Sequence, residues 1–337
     1  MTPTPLRIGI LSTARIAKSF VQGIRSSTLV IAAAVASRNG VRARDFAAEM
    51  GIGQAYDCYE RLLADPSIDA IYNPLPNSMH ADWSIRALKA GKHVLCEKPL
   101  AVSAAEARTM FAAGKSAGKI LVEAYPYLSQ PQTQRMMDMI NGGAIGKVQI
   151  IQAAFGFTMS DESNIRLDPS MGGGALFDAG VYPLSLVRRV TGMLPTRVLA
   201  VAQRHRSGVD RSVLASLEHA NGTLAQVSCS FSTAVHRQAT IAGSEGIIHT
   251  SYPNTPPEGQ SARFTIRRGT TWNSVDEPVD APALNGFLAE AESFCRMIQR
   301  GPEHWSGATP TESVDILRTV EAIFQSAESG GPVQLIA

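Results

Sequence analysis

The first third of the chain alternates short apolar runs with amphipathic segments, and this alternation limits the fold more than any other feature. Apolar runs at Leu6–Leu11 and Ile31–Ala36 are typical of strands buried in a parallel sheet. Between them, Ala14–Ile24 has apolar residues at helical spacing. The same order continues through the helix Arg42–Met50, the strand Ala70–Tyr72, the helix Met79–Ala90, the strand His93–Cys96, the helix Ala104–Ala117 and the strand Ile120–Ala124. This repetition predicts an α/β fold with a doubly wound parallel sheet and right-handed crossovers.

The pattern changes after residue 125, where helices become rare and β-like runs dominate. A long alternating stretch is followed by shorter runs separated by turn residues: Val148–Phe157, Arg197–Arg204, Ser212–Glu218, Thr223–Ser230, Ala239–Ala242 and Ile247–Thr250. Tyr252–Ser261 is a loop by composition, and Leu284–Arg300 and Thr311–Ala327 are predicted closing helices. We therefore predict a second, α+β domain with a large open, mainly antiparallel sheet.

The turn after the first predicted strand has the spacing of a dinucleotide-binding turn but lacks its glycines. The three glycine positions of G-x-G-x-x-G hold small residues instead, Ser12, Ala14 and Ala17. Small side chains still leave the backbone N–H groups at a helix N-terminus accessible to phosphate. An ordinary strand-to-helix turn is the alternative. The candidate cofactor contacts of this turn are Ser12, Thr13, Ala14, Arg15 and Ile16.

The end of the second predicted strand indicates which nicotinamide cofactor binds. A carboxylate at this point would bind the ribose 2′-hydroxyl of NAD. The chain has Ser37 and Arg38 there, with Arg42 and Arg44 following. Hydroxyl and guanidinium groups bind a 2′-phosphate through charge-assisted hydrogen bonds. These residues predict a preference for NADP(H), with NAD(H) as the second cofactor. The alternative is that the arginines only solvate a loop and a helix face.

Three further stretches resemble one family in combination. Asn-Pro-Leu-Pro-Asn-Ser-Met-His at 73–80 follows one strand, and Glu97-Lys98-Pro99 follows the next. Gly172-Gly-Gly-Ala-Leu-Phe-Asp178-Ala-Gly-Val-Tyr182 opens a helix in the second half. Together they resemble the Gfo/Idh/MocA family of pyridine-nucleotide oxidoreductases, and the predicted element order matches that family over nearly the whole chain. The first turn departs from the family pattern, because serine and alanine replace its glycines.

The resemblance implies a role for each matching residue. The family's Glu-Lys-Pro lysine, here Lys98, lies at the nicotinamide and contacts the reacting hydroxyl or carbonyl, and its peptide bond to proline is commonly cis. Asp178 matches the aspartate of the glycine-rich helix, and Tyr182 matches the acid/base position one turn later. The remaining implied cofactor contacts are Leu75, Asn77, His80, Glu97 and Arg166. A hydrogen-bonded structural histidine is the alternative for His80.

The chemistry of these side chains agrees with the implied roles. A carbonyl that accepts hydride develops alkoxide character, which requires a proton donor and a nearby cation. Asp178 and Tyr182 are four residues apart and would share one helix face. The ordinary tyrosine pKa of about 10 is high for a base, and an adjacent ammonium such as Lys98 favours the phenolate. We predict Tyr182 as general acid/base, Lys98 as electrostatic and orienting partner, and Asp178 as substrate anchor. A surface tyrosine, a solvated lysine and a structural aspartate are the alternatives.

Length and charge set the domain organisation and exclude several classes of protein. The chain has 337 residues, which suggests two domains at about 150 residues each. We predict a dinucleotide-binding Rossmann domain over 1–124, and a substrate-binding and oligomerisation domain over 125–337 whose C-terminal helices pack back on the first. The formal net charge is +2 without a long basic run, which argues against nucleic-acid binding. No segment reaches the roughly 20 apolar residues of a membrane span. We expect a cytoplasmic protein with four reduced cysteines and no metal.

The resemblance also implies a reaction class. We expect hydride transfer between NADP(H) and a carbonyl or hydroxyl of a carbohydrate or polyol. The tyrosine at position 182 resembles aldose dehydrogenases, dihydrodiol dehydrogenases and some sugar ketoreductases, so an aldose 1-dehydrogenase is the first expectation. A keto-sugar or dihydrodiol oxidoreductase and a non-catalytic NADP-binding sensor are the alternatives. The open sheet predicts a homodimer or homotetramer.

Overall fold

The computed structural model describes residues 4–256 and 262–336, so residues 257–261 of the predicted Tyr252–Ser261 loop lie outside it. The chain divides into two compact units. The first contains the described residues within Met1–Ala101, Ala105–Gln130 and Leu284–Pro310. The second contains those within Val102–Ala104, Pro131–Ala283 and Thr311–Ala337.

A six-stranded parallel sheet forms the centre of the first unit, in the order β3-β2-β1-β4-β5-β6. Its strands are β1 (Leu6–Leu11), β2 (Val30–Ala36), β3 (Gln54–Tyr56), β4 (Ala70–Asn73), β5 (His93–Glu97) and β6 (Leu121–Ala124). The helices that follow the first five strands are α1 (Arg15–Ile24), α2 (Gly40–Met50), α3 (Tyr59–Leu63), α4 (His80–Lys89) and α5 (Ala104–Ala117). The predicted doubly wound parallel sheet is confirmed, with the short β3 and α3 as additions.

The apolar stripe of α1 explains how this sheet is covered. Ala17, Phe20, Val21 and Ile24 recur at helical spacing and are buried. The Phe20 ring stacks on Tyr72 of β4, with 3.9 Å between centroids and 11° between planes. Burying a large apolar side chain of this kind stabilises the fold by about 1.5–3 kcal/mol.

Strand register places the candidate cofactor residues at one edge of the sheet. Leu11 pairs with Ala36 across β1 and β2, and Asn73 pairs with Cys96 across β4 and β5. The carboxyl ends of these parallel strands therefore finish at the same edge, where open α/β sheets bind ligands.

The second unit contains a nine-stranded sheet in the order β14-β13-β12-β11-β7-β10-β9-β8-β15. Its elements up to residue 281 are α6 (Pro131–Asn141), β7 (Val148–Thr158), α7 (Val181–Thr191), β8 (Arg197–Arg204), β9 (Asp210–Glu218), β10 (Leu224–Ser230), β11 (Ser232–Gly243), β12 (Gly246–Ser251), β13 (Ala262–Arg268) and β14 (Asp276–Ala281). β7 and β10 are parallel and the other neighbours are antiparallel. This confirms the predicted large, mainly antiparallel sheet.

Three elements complete the chain: α8 (Gly286–Arg300), α9 (Pro310–Ser329) and β15 (Val333–Gln334). Phe287 of α8 contacts Phe20 edge to face, at 6.5 Å between ring centroids, within the first unit. α9 belongs to the second unit, where its Asp315 forms a 2.9 Å ion pair with Arg188 of α7. The two closing helices therefore fall in different units.

Candidate active site

Ser12 adopts the backbone conformation that the first fingerprint glycine would adopt. Its φ of 83° is the only positive φ among the non-glycine residues that the structure describes. The Ala14 N–H donates to Ser12 Oγ at 3.1 Å. α1 begins at Arg15, and its described first turn contains no acidic side chain that would compete with an anion. The turn thus keeps the shape and polarity of a phosphate-binding turn without glycine.

At the end of β2, Arg38 is exposed and Ser37 is buried. Ser37 Oγ accepts a hydrogen bond from the Asn39 N–H at 3.2 Å. The Arg38 guanidinium lies near the Tyr59 hydroxyl. Burial raises the pKa of Tyr59, and the positive charge of Arg38 opposes that rise. Tyr59, which belongs to no motif, therefore lies next to Arg38, the residue predicted to bind the 2′-phosphate.

We expect Arg38→Ala to weaken NADPH binding by about 10- to 100-fold, since a hydrogen bond to a charged group is worth roughly 1.5–3 kcal/mol. NADH binding should change by less than about twofold, because NADH lacks the 2′-phosphate. Fluorescence titration with each cofactor measures both constants. Arg25→Ala, at an exposed arginine directly after α1, is the matched control. An equal loss for NADPH and NADH would remove Arg38 from phosphate recognition.

The loop after β4 is held by its own polar side chains. Asn73 is buried, and its Nδ2 donates to Ser84 Oγ at 3.0 Å and to the His80 carbonyl oxygen at 3.2 Å. Leu75 is buried, and Asn77 begins a short 3₁₀ turn, Asn77–Met79. This loop carries two of the implied cofactor contacts on a rigid support.

His80 joins that loop to the segment after β5. Its Nδ1 lies 2.7 Å from the Pro99 carbonyl oxygen and its Nε2 lies 2.7 Å from the Leu75 carbonyl oxygen. Burial lowers the pKa of His80 to about 4, and the charge of Lys98 adds to that effect. A pKa this low favours the neutral ring, in which one nitrogen donates to one of the two carbonyls. This geometry agrees with the hydrogen-bonded alternative, and direct cofactor contact by His80 stays a prediction.

Lys98 follows β5 in a segment fixed by buried carboxyl groups. The Lys98–Pro99 peptide is cis, as the resemblance implies. Tyr72 donates to Glu97 Oε1 at 2.6 Å, and the Leu100 N–H donates to Glu123 Oε1 at 2.9 Å. The backbone on both sides of Lys98 is therefore anchored in the core of the first unit.

Glu290 of α8 adds a third buried carboxyl group to this region. Burial raises the pKa of Glu290 well above its ordinary value, and the charges of Glu97 and Glu123 raise it further. The Tyr125 backbone amide opposes the rise. Burial and two acidic neighbours thus favour the neutral form of Glu290, and no local sequence signal marks this residue.

In the second unit, the glycine triplet makes room for a buried carboxylate. Gly174 has a φ of 120°, and a Cβ there would overlap the Asp210 carboxylate. Asp210 accepts a hydrogen bond from the Leu176 N–H at 2.6 Å and so caps the segment that carries Asp178. Burial raises the pKa of Asp210, opposed by backbone N–H donors that include Leu176.

We expect Gly174→Ala to destabilise the second unit by about 2 kcal/mol or more, because it combines strained backbone with displacement of a buried carboxylate. Thermal unfolding monitored by circular dichroism measures the loss. Gly192→Ala is the control, because it has a positive φ of 70° but no atom within 4 Å of the added Cβ. The two variants should differ, and equal shifts would show that backbone strain alone acts at Gly174.

Asp178 and Tyr182 lie in consecutive helical elements of different pitch, so the α-helical i, i+4 spacing that predicts one shared face does not apply directly. Asp178 belongs to a π-helical turn, Leu176–Gly180, and Tyr182 belongs to α7. Pro183 has no N–H to donate to the carbonyl of Ala179, which breaks the α-helical ladder at this point. Arg166 Nε lies 2.9 Å from Asp178 Oδ2, so the structure pairs these two predicted site residues.

Tyr182 is 4% exposed and is surrounded by polar and aromatic groups of the second unit. The Phe155 ring contacts it edge to face, at 5.5 Å between centroids. Asn254 Nδ2 donates to the Tyr182 hydroxyl at 3.1 Å. The Arg237 guanidinium carbon lies 3.8 Å from the centroid of the Tyr182 ring. Neither Arg237 nor Asn254 belongs to a motif, and sequence reasoning missed both.

Metal and membrane sites have no support in the described parts of the chain. No group of three or more His, Cys, Asp or Glu residues there is arranged to hold a metal ion. No helix of the described residues is long and apolar enough to cross a membrane. The four cysteines are free, and Cys96, Cys229 and Cys295 are buried, in agreement with reduced thiols.

Comparison with known proteins gives matches over nearly the whole chain. Residues 6–125 match the family described as "Oxidoreductase family, NAD-binding Rossmann fold", and residues 133–249 match "GFO/IDH/MocA C-terminal domain". A D-xylose 1-dehydrogenase (NADP(+)) from Haloferax volcanii is 36% identical over 98% of this chain and 100% of its own. A trans-1,2-dihydrobenzene-1,2-diol dehydrogenase from Xenopus laevis is 33% identical over 87% of this chain and 89% of its own.

A solved structure is also similar to this chain over nearly its whole length. The crystal structure of a 3-ketoreductase from Actinomadura kijaniata, in complex with NADP and TDP-benzene, has a TM-score of 0.86 and 30% identity. The match covers 96% of this chain and 98% of that chain.

Proposed function

Because this chain belongs to the GFO/IDH/MocA family of oxidoreductases, we propose that it is an NADP(H)-dependent aldose 1-dehydrogenase. Its substrate would be a free aldose, oxidised at the C1 hydroxyl. The observation that carries this proposal is the 36% identity, over essentially the full length of both chains, to an NADP-dependent D-xylose 1-dehydrogenase. Arg38 at the end of β2 supports the choice of NADP(H) over NAD(H).

The residues at the sheet edge fit such a cofactor. The left-handed Ser12 turn and the start of α1, residues 12–16, would hold the pyrophosphate. Ser37, Arg38 and Arg42 would hold the 2′-phosphate. The other proposed contacts are Leu75, Asn77, His80, Glu97, Lys98 and Arg166. When bound, NADP(H) accepts or supplies the hydride.

Side chains of the protein transfer the proton and stabilise the charge that develops on the reacting oxygen. In the oxidation direction, Tyr182 takes the proton of the C1 hydroxyl as the hydride leaves that carbon. The Lys98 ammonium stabilises the alkoxide character that develops on the oxygen. Asp178, held by Arg166, accepts a hydrogen bond from a sugar hydroxyl and fixes the substrate's orientation. In the reduction direction each group acts in reverse.

A keto-sugar or dihydrodiol oxidoreductase is the second candidate function. The similarity in fold to a 3-ketoreductase favours a keto-sugar reductase. The sequence identity to a dihydrodiol dehydrogenase favours a dihydrodiol oxidoreductase. A non-catalytic NADP-binding sensor is less well supported, because a sensor has no need to keep Lys98, Asp178 and Tyr182 together.

NADP⁺ reduction by the purified protein, followed by absorbance, tests the proposal against aldoses, inositols and dihydrodiols. We expect turnover on one or more aldoses and little on inositols. Turnover restricted to dihydrodiols, or NADPH oxidation restricted to keto sugars, would replace the aldose proposal. Tight NADPH binding without any turnover would support the sensor.

We further propose a cytoplasmic homodimer or homotetramer, and the exposed apolar side chains of the large sheet support the oligomer. Five large apolar side chains on its strands are at least 44% exposed: Ile150, Leu199, Val201, Leu214 and Leu224. Register brings Val201 opposite Leu214 and Leu224 opposite Ile150, so these side chains form two apolar pairs across the face. An exposed apolar surface of this kind marks an association site.

We expect the double substitution Val201→Lys with Leu214→Lys to reduce the mass in solution by half or more, because it places two charges in the apolar contact. Analytical ultracentrifugation measures the change. Val41→Lys, at an exposed apolar residue of α2, is the control. A native protein that is already monomeric would end the oligomer proposal.

A further inference from the structure

We propose that Arg237 and Asn254 are positioning residues that hold the Tyr182 hydroxyl for proton transfer and stabilise its anionic form. This inference rests on the proposed acid/base role of Tyr182. All the contacts that carry it lie within the second unit.

Arg237 of β11 is enclosed by three aromatic rings. Its guanidinium carbon lies 3.8 Å from the ring centroid of Tyr182, 4.8 Å from that of Tyr252 and 5.1 Å from that of Phe155. All three distances fall within the roughly 6 Å range of cation–π attraction. The shortest contact is to the proposed acid/base, so the positive charge lies directly over the ring that becomes negative.

Asn254 links the same guanidinium to the Tyr182 hydroxyl. Arg237 Nη1 donates to Asn254 Oδ1 at 3.2 Å, and Asn254 Nδ2 donates to the Tyr182 oxygen at 3.1 Å. A guanidinium only donates, so Asn254 must turn its oxygen toward Arg237. The amide nitrogen then faces Tyr182, so the guanidinium donor determines the orientation of the Asn254 amide.

A donor at the phenol oxygen has two consequences. Because the phenol oxygen accepts from Asn254, its own proton must point away from Asn254. The same donor also stabilises the phenolate, because a hydrogen bond to the charged form favours that form. The cation over the ring face acts in the same direction. Arg237 and Asn254 therefore favour the deprotonated tyrosine that substrate oxidation requires.

The surrounding packing keeps this arrangement in one geometry. The Tyr252 hydroxyl donates to the Ala154 carbonyl oxygen at 3.1 Å, which fixes the second ring of the cage to β7. Phe155, on the same strand, contacts both Tyr182 and Arg237. Side chains locked by their neighbours keep a functional group in its productive position.

Steady-state and single-turnover kinetics on the full chain test the inference, with NADP⁺ and an aldose that the NADP⁺-reduction assay has shown to be a substrate. Arg237→Met keeps a long side chain and removes the charge, and Asn254→Ala removes the link. We expect each to lower kcat by about 10- to 100-fold while the NADP⁺ dissociation constant changes by less than about twofold. Arg237→Lys should restore part of the loss, because it returns a cation. Arg268→Met, at an arginine paired with Glu277 on β13 and β14, is the control.

A double-mutant cycle with Tyr182→Phe separates positioning from packing. Phenylalanine keeps the ring under Arg237 but has no hydroxyl, so Arg237→Met should cost less than about twofold further in that background. An equal cost in both backgrounds would show that Arg237 only fills space and would overturn the proposal. Normal kcat in Asn254→Ala and Arg237→Met would overturn it as well. If the Arg237→Met variant does not fold, the same double-mutant cycle is measured with Asn254→Ala and Tyr182→Phe.

The two proposals fail in different ways. Should Tyr182→Phe itself keep full kcat, the acid/base assignment fails, and the inference about Arg237 and Asn254 fails with it. If Tyr182→Phe is inactive while the Arg237 and Asn254 variants turn over normally, only the inference fails.

Discussion

Lys98→Met should lower kcat by about 10³-fold, the cost of removing a group that stabilises a developing oxyanion. Methionine keeps the length of the stem but removes the ammonium, so the alkoxide on the reacting oxygen loses its nearby cation. Cofactor binding should stay within a fewfold, because the proposed 2′-phosphate and pyrophosphate contacts lie at Arg38 and the Ser12 turn. Rates of NADPH formation and a fluorescence titration with NADPH measure the two effects separately.

Lys115→Met provides the control for this substitution, because Lys115 is an exposed residue of α5. We expect it to retain the native rate. Near-normal turnover in Lys98→Met would remove Lys98 from the mechanism. A parallel loss of NADPH affinity and rate would instead assign Lys98 to cofactor binding.

Tyr182→Phe should lower kcat by about 10²- to 10⁴-fold, the contribution of a positioned general acid/base. The ring stays, so its contacts with Phe155 and Arg237 should persist and thermal stability should change little. The kcat of aldose oxidation, together with the melting temperature, measures the result.

Tyr56→Phe is the matched control, because its hydroxyl donates to Asp65 Oδ2 at 2.9 Å within the first unit and has no proposed role in the reaction. That variant should cost about 1 kcal/mol of stability and leave kcat within a fewfold. A Tyr182→Phe enzyme with kcat within tenfold of the native value would require another proton acceptor.

Together, the contacts of Tyr182 and Asp178 show how the second unit prepares its site. Asp210 caps the segment that carries Asp178, Arg166 pairs with Asp178, and Asn254 donates to Tyr182. Tyr182 thus has a partner that no motif includes, whereas Asp178 pairs with another predicted site residue.

Local sequence patterns determined the order of most elements and the class of both sheets. The bounds of β1, α5 and β8 are those that the apolar patterns predict. Such patterns are informative because the spacing of apolar residues reports which face of an element is buried. The motifs at Lys98, Asp178 and Tyr182 were likewise readable in the sequence, since each depends on neighbouring residue types.

The tertiary structure alone decided the elements and contacts that depend on distant partners. β14 contains Asp, Glu and Pro and has no apolar pattern, but it pairs with β13 at the sheet edge. No local signal indicated the left-handed backbone of Ser12 or the position of Tyr59 near Arg38. The link from Arg237 through Asn254 to Tyr182 had no local signal either. The physical reason is the same in each case: strand register and packing bring together residues far apart in the chain, and a single side chain's identity does not encode its partner.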